Sequence, residues 1–154
     1  MDLKQLLFTW RGRSGRKHYW IGIGLLLLVS LIPEVMPEPA KTLLNSVLTL
    51  AMIWPNICIM TKRFHDLGLS GWWQLAPIPG VLAALLIWLV GSAVFGAPET
   101  EAGTVWTGAV LIVGAIAYFG FYIWLGSVRG QPIANAYGPP PGAQSAAEEA
   151  EVFS

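Results

Sequence analysis

The chain has 154 residues, of which 55% are hydrophobic and 12% are charged, whereas a soluble domain carries roughly 25% charged residues. Its nine basic and nine acidic side chains cancel, so no net charge attracts it to nucleic acid, and no nucleic-acid partner is expected. A lone cysteine, Cys58, excludes an intramolecular disulfide. Length and composition together indicate a membrane protein of single-domain size.

The N-terminal residues predict a short amphipathic helix on the membrane surface, because Leu3, Leu6, Leu7 and Trp10 recur at helical spacing. The first long apolar run follows at residues 19–35. The basic residues before it resemble those of a signal peptide, but no small-residue cleavage site follows the run, and three more apolar runs come later. We therefore interpret it as the first transmembrane span.

Three further apolar runs cover residues 42–60, 71–95 and 104–128, and no acidic or basic residue interrupts them. A helix needs roughly 20 residues to cross about 30 Å of hydrocarbon. Helices are predicted because backbone hydrogen bonds at membrane depth must be satisfied internally, and because the runs lack the alternating polarity of barrel strands. The predicted fold is therefore an all-α, polytopic membrane protein with four transmembrane helices.

The distribution of basic residues predicts the orientation of the four spans. Eight basic residues lie before the first span, between the second and third, or after the fourth. The other two loops contain four glutamates and one lysine. Because basic loops stay in the cytoplasm during insertion, both termini are predicted to be cytoplasmic.

Charged groups at membrane depth would indicate transport. The middle of each predicted span contains no Asp, Glu, Lys, Arg or His. Ion-coupled transporters and proton pumps usually place such groups there. A monomeric transporter is therefore disfavoured.

Two segments, residues 10–20 and 62–73, contain nearly all of the polar side chains. The predicted topology places both at the inner interface, where one leads into the first span and the other joins the second to the third. Basic side chains interleaved with interfacial aromatic rings attract anionic headgroups, at about 1 kcal/mol for each Lys or Arg. The predicted partners are membrane lipids with anionic headgroups, with a membrane protein partner as the alternative.

The motifs in these segments resemble a known family. The pattern G-R-x-x-R-x-x-Y-W starts at Gly12, K-R-x-H-D-x-x-x-S-G-W-W starts at Lys62, and the segment 131–139 ends in N-A-Y-G-P. Together they resemble the bacterial membrane family catalogued as domain of unknown function 805, from which the chain departs at Phe64 and Pro140. The resemblance implies a small, multi-pass protein of the bacterial inner (plasma) membrane and implies no activity.

The candidate site predicted from the two segments has two competing interpretations. Its residues are Arg13, Arg16, Tyr19, Trp20, Arg63, His65, Asp66, Trp72 and Trp73. In the structural interpretation, Asp66 pairs with Arg13 or Arg16 and holds the central loop against the first helix. In the binding interpretation, Arg13 and Arg16 clamp a phosphate-bearing group by paired hydrogen bonds, and Trp72 or Trp73 packs beneath it.

A membrane-embedded enzyme or transporter subunit that uses the Arg, His and Asp cluster is the third interpretation. The dipeptide His65-Asp66 supports it weakly, because adjacent side chains on a helix do not face each other. No nucleophile elbow, phosphate-binding glycine loop or zinc-protease motif occurs in the sequence. The spacing of His18, His65 and Asp66 matches no familiar metal site. The prediction is a protein without enzymatic activity, catalytic residues, cofactor or metal.

The chain is expected to divide into two regions. Residues 1–130 would form the four-helix transmembrane domain with its interfacial helix. Residues 131–154 would form a mostly disordered cytoplasmic tail, because they are rich in Pro, Gly and Ala and lack apolar periodicity. Within the tail, Ile133 and Tyr137 offer side chains that could pack against the helices.

Overall fold

The computed structural model of the protein describes residues 2–96 and 98–143, and within them all regular structure is helical. The elements in chain order are α1 (Leu3–Phe8), α2 (Arg16–Ser30), a 3₁₀ turn (Ile32–Val35), α3 (Ala40–Asp66), a second 3₁₀ turn (Gly71–Leu75), α4 (Pro77–Phe95) and α5 (Glu101–Ser127). The all-α fold is therefore confirmed.

Four helical segments are long and apolar enough to cross a membrane. They are Arg16–Val35, Ala40–Asp66, Gly71–Phe95 and Glu101–Ser127. This confirms the four predicted spans, while the orientation of the termini stays a prediction. The short α1 lies where the sequence predicted an N-terminal helix.

The second span extends further than its apolar run. Helix α3 continues to Asp66, whereas the run ends at Met60. Lys62 and Arg63, which the sequence analysis placed in the central loop, therefore lie within the helix. The loop assignment was wrong because it followed polarity, and no glycine or proline stands between Met60 and Gly68 to end the helix.

A glycine cap ends α3. Gly68 has a φ of 78°, a left-handed conformation that side chains with a Cβ rarely adopt. The N–H of Gly68 donates to the carbonyl of His65 at 3.0 Å, and the N–H of Leu69 donates to that of Phe64 at 2.9 Å. This pair of bonds is the Schellman pattern, which satisfies the last carbonyls of the helix and turns the chain away.

The described residues divide into two compact units, one within Met1–Gln74 and Gly126–Ser154 and the other Leu75–Leu125. In the first unit, α3 packs against α1, α2 and the first 3₁₀ turn. Helices α2 and α3 approach closely at Gly22, where an added Cβ would lie 2.8 Å from Cδ1 of Ile59. The buried apolar side chains of this unit are Leu6, Tyr19, Leu26, Cys58, Ile59, Met60 and Phe64.

The second unit consists of α4 and most of α5. Proline occupies the first position of α4, where its missing N–H would have no intrahelical partner. The indole N–H of Trp88 donates to the hydroxyl of Thr107 at 3.1 Å, and the rings of Phe95 and Trp106 lie 5.2 Å apart. Most large apolar side chains of this unit are exposed, as helices that face lipid require.

Candidate functional site

The polar side chains of the two sequence segments meet in a buried cluster centred on Asp66. One carboxylate oxygen of Asp66 accepts from Nε and Nη2 of Arg13 at 3.1 and 2.9 Å. The other accepts from Nη1 of Arg63 at 2.6 Å. The side chains of Arg13, Arg63 and Asp66 are 1%, 0% and 4% exposed. We call Arg13, Lys62, Arg63 and Asp66 the polar junction.

Local sequence sets this geometry. Arg63 and Asp66 lie three residues apart, so they project from the same face of α3. The backbone N–H of Ser14 donates to the carbonyl of Lys62 at 3.1 Å and fixes the segment that carries Arg13 against the helix. The pairing of Asp66 with Arg13, one of the two predicted, is confirmed.

Backbone carbonyls offset the remaining positive charge of the polar junction, which holds three cations and one carboxylate. The ammonium of Lys62 donates to the carbonyls of Gln5 and Leu6 in the last turn of α1, the latter at 2.7 Å. Arg63 also donates to the carbonyl of Val128, directly after α5. Carbonyls at helix C-termini carry partial negative charge, which stabilises cations placed there.

Arg13 in addition holds the segment that follows α5. Its guanidinium donates to the carbonyls of Gln131, of Ile133 at 2.7 Å and of Gly138 at 3.3 Å. The segment Gln131–Gly138, which we call the C-terminal turn, closes on itself through reciprocal backbone hydrogen bonds of 3.1 and 3.0 Å between Asn135 and Gly138. This part of the predicted tail thus packs against the polar junction, and residues 144–154 lie outside the described residues.

His65 joins the C-terminal turn to the segment before α2. Its Nδ1 lies 3.1 Å from the carbonyl oxygen of Gly12. Its ring stacks on that of Tyr137, with centroids 3.7 Å apart and planes inclined by 3°. The side-chain amide of Asn135 donates to the backbone carbonyl of His65 at 2.9 Å. Asn135 was not among the predicted site residues, although Asn at the first position of a turn and Gly at the fourth are a common combination.

Not all predicted site residues reach the polar junction. Tyr19 is buried in the core. Arg16 and Trp20 are exposed, as are Trp72 and Trp73, at 78% and 54%. The predicted anion clamp of Arg13 and Arg16 does not form, because Arg13 is buried and donates to the protein's own oxygens.

Beside the polar junction lies an open cleft of about 690 Å³, formed within the first unit. We call it the aromatic cleft, because Trp10, Trp54, Trp72 and Tyr137 line it together with His65. Its other lining residues are Arg11, Gly12, Ile57, Thr61, Ser70, Gly71, Gln74 and Ala136. None of these described residues carries a carboxylate. The guanidinium of Arg11 lies 5.5 Å from the ring centroid of Trp10, a cation–π distance.

A second set of cations is exposed. We call it the basic rim, and it comprises Lys4, Arg11, Arg16, Lys17 and Arg129. Within residues 2–96 and 98–143, the side chains of the basic rim make no hydrogen bond and no ion pair. Of the acidic residues described in the first unit, Asp66 is buried, and Glu34 and Glu38 follow the far end of α2. Among the described acidic residues of this unit, Asp2 alone remains to oppose the rim.

Comparison with known proteins gives a family and no activity. The family model described as a protein of unknown function (DUF805) matches residues 7–139. The chain is 34% identical over 82 residues to the uncharacterized protein YiiR of Escherichia coli strain K12, and equally to that of E. coli O157:H7, which covers 51% of this chain and 55% of each relative. The matched stretch thus spans about half the length of these curated relatives. No solved structure matches the chain.

Proposed function

We propose that this chain, which belongs to the family of proteins of unknown function DUF805, is a multi-pass protein of the bacterial inner membrane whose basic rim binds anionic phospholipid headgroups. The observation that supports this most strongly is the division of the cations into two sets. The cations of the polar junction are buried and donate to carboxylate and carbonyl oxygens. Those of the basic rim are exposed, and within the described residues their side chains have no hydrogen-bond partner.

The rim belongs at the cytoplasmic interface in this proposal. Four helical segments are apolar enough to span a bilayer, and eight of the nine basic residues lie on the side that the charge bias assigns to the cytoplasm. The cytoplasmic leaflet attracts such residues with about 1 kcal/mol each near the surface. The E. coli relatives support a bacterial membrane.

Exposed tryptophans accompany the rim. Trp10, Trp20, Trp72 and Trp73 are each more than 40% exposed, and indole rings prefer the level of the lipid headgroups. Rings at this level would hold the ends of α2 and of the second 3₁₀ turn in the interface. The cations of the rim would then lie at the depth of the lipid phosphates.

The polar junction is assigned a structural role. The side chains of Asp66, Arg13 and Arg63 hydrogen-bond to one another, and Arg13 also donates to a backbone carbonyl. His65 contacts Gly12 and Tyr137. An enzyme or transporter subunit built on this cluster would need these groups to face a substrate. The proposed function is therefore recognition of lipid, without catalysis.

The test is lipid selectivity in nanodiscs of mixed phosphatidylcholine and phosphatidylglycerol. Native mass spectrometry of the released full-length protein would measure the ratio of the two lipids that it retains. We expect the wild type to retain more phosphatidylglycerol than phosphatidylcholine. The control Lys41→Gln changes a cation at the end of the spans opposite the basic rim and should show the same enrichment. The triple variant Arg16→Gln/Lys17→Gln/Arg129→Gln should lose most of this enrichment. Unchanged enrichment in the triple variant would reject the proposal, and so would retention of a protein partner in place of lipid.

A further inference from the structure

We propose that the aromatic cleft is a discrete binding site for one molecule of a phosphate-bearing lipid. The site goes beyond the general attraction of the basic rim, because its lining combines apolar and aromatic side chains with side chains that can donate hydrogen bonds. Its volume of about 690 Å³ lies within the roughly 300–1,000 Å³ of typical ligand pockets.

The lining of the cleft changes from apolar at one end to polar at the other, as an amphiphilic ligand requires. Four of its lining residues, Trp54, Ile57, Thr61 and His65, recur at intervals of three or four and so lie on one face of α3. At 1.5 Å per residue they extend over about 17 Å of the helix. The face begins with apolar side chains inside the second span and ends with His65 beside the polar junction. A lipid with its tail along Trp54 and Ile57 would place its head near His65.

The polar lining selects an anionic head. Arg11 carries the one fixed positive charge of the cleft, and no carboxylate lies among the described lining residues. The hydroxyls of Ser70 and Thr61 and the amide of Gln74 add donors. The ring of Trp10, which a ligand ammonium could otherwise use, is already paired with the guanidinium of Arg11. The complementary ligand group therefore carries negative charge and several acceptor oxygens, as a phosphate does.

The C-terminal turn supplies one wall of the site. Ala136 and Tyr137 line the cleft, and Tyr137 is held there by its stack on His65. Asn135 fixes the turn by accepting from the N–H of Tyr137 at 2.9 Å and by donating to the carbonyl of His65. The three sequence segments of the family motif thus build a single site, in which the buried polar junction positions the walls.

The experiment counts bound lipid molecules by native mass spectrometry of the full-length protein from phosphatidylglycerol nanodiscs, at collision energies that strip surface lipid. We expect the wild type to retain one phosphatidylglycerol. The variant Arg11→Gln/Trp72→Ala changes two exposed lining residues and should weaken the affinity for the lipid by roughly tenfold or more, the loss expected from one charged hydrogen bond. The weaker affinity would appear as a lower occupied fraction. The matched control Lys41→Gln/Trp124→Ala changes one cation and one exposed tryptophan outside both the cleft and the basic rim, and should retain the lipid.

Two further probes identify the ligand chemistry. Diacylglycerol, which lacks the phosphate, and inorganic phosphate, which lacks the chains, should each fail to displace the bound lipid. Displacement by diacylglycerol would overturn the phosphate requirement, and displacement by inorganic phosphate would overturn the lipid requirement. A wild type without retained lipid, or equal losses in both double variants, would overturn the site itself. We expect the basic-rim triple variant to retain the one phosphatidylglycerol of the cleft even when it loses its enrichment of the surrounding lipid. The proposal for the rim and the proposal for the cleft can therefore be rejected independently.

Discussion

Arg13 and Asp66 lie 53 residues apart in the sequence, yet their side chains form a buried ion pair with an N–O distance of 2.9 Å. The same carboxylate binds Arg63, so one acidic residue joins the segment before α2 to the end of α3. Arg13 extends the connection to the C-terminal turn. The fold around the proposed lipid sites therefore depends on a single carboxylate.

Removal of that carboxylate should destabilise the protein severely. Asp66→Asn leaves two buried guanidinium groups without their counter-charge, which costs roughly 3–5 kcal/mol when a buried pair is broken. Thermal unfolding in detergent would measure the loss. Glu34→Gln is the control, because its ion pair with Lys41 is partly exposed and such surface pairs contribute little to stability. Similar stabilities of the two variants would contradict the structural role of the polar junction.

The cap of α3 gives a second stability prediction. Gly68→Ala places a Cβ at a φ of 78° and against the side chain of Gln131. We expect the free energy of unfolding to fall by about 1–2 kcal/mol, because alanine disfavours this left-handed backbone conformation. Gly24→Ala is the matched control, because that glycine lies inside α2 with open space around it and alanine is the better helix former by about 1 kcal/mol. A Gly68→Ala variant as stable as the wild type would show that α3 does not end in this glycine cap.

The four membrane spans could be predicted from the sequence, whereas the burial of the charged side chains could not. Long apolar runs specify membrane helices, because hydrocarbon leaves the backbone no other way to satisfy its hydrogen bonds. Lys62 and Arg63 follow such a run, and their polarity suggested a loop. Their burial depends on carbonyls of Gln5, Leu6 and Val128, which lie far away in sequence and show no pattern that local periodicity detects.

The aromatic cleft was even less accessible to sequence reasoning. Its walls come from the segment before α2, from α3, from the second 3₁₀ turn and from the C-terminal turn. The composition of the last segment indicated disorder, since Pro and Gly are common there. The contacts of Asn135 and Tyr137 with His65 override that composition. The tryptophans beside the spans are exposed, and their position at the membrane interface stays a prediction.

Stacking should hold the C-terminal turn in place. Tyr137→Ala removes the ring that lies 3.7 Å from His65, and such ring pairs contribute about 0.5–1.5 kcal/mol. Hydrogen exchange of the amides of Asn135 and Gly138 should therefore accelerate by roughly twofold to tenfold. Tyr137→Phe keeps the ring and should exchange as the wild type does. Equal acceleration in both variants would attribute the effect to the hydroxyl and contradict the stacking.

The predicted orientation of the spans is testable by thiol labelling. In a Cys58→Ala background, Thr9→Cys and Glu38→Cys each introduce one exposed thiol, the first before α2 and the second after it. A membrane-impermeant maleimide should label Glu38→Cys in intact spheroplasts and Thr9→Cys only in inverted vesicles, since basic segments remain in the cytoplasm. The reverse labelling would place the basic rim on the outer face.

The most direct test of the account is the salt dependence of phosphatidylglycerol enrichment in mixed nanodiscs. Exposed charges are screened over about 10 Å at 0.1 M salt and about 3 Å at 1 M, whereas the buried cations of the polar junction are shielded from salt. If the basic rim recognises lipid, the enrichment is strong at the lower salt concentration, falls steeply at the higher one, and is weak at both in Arg16→Gln/Lys17→Gln/Arg129→Gln. Enrichment that is unaffected by salt and by these substitutions would contradict the claim that the exposed cations bind lipid.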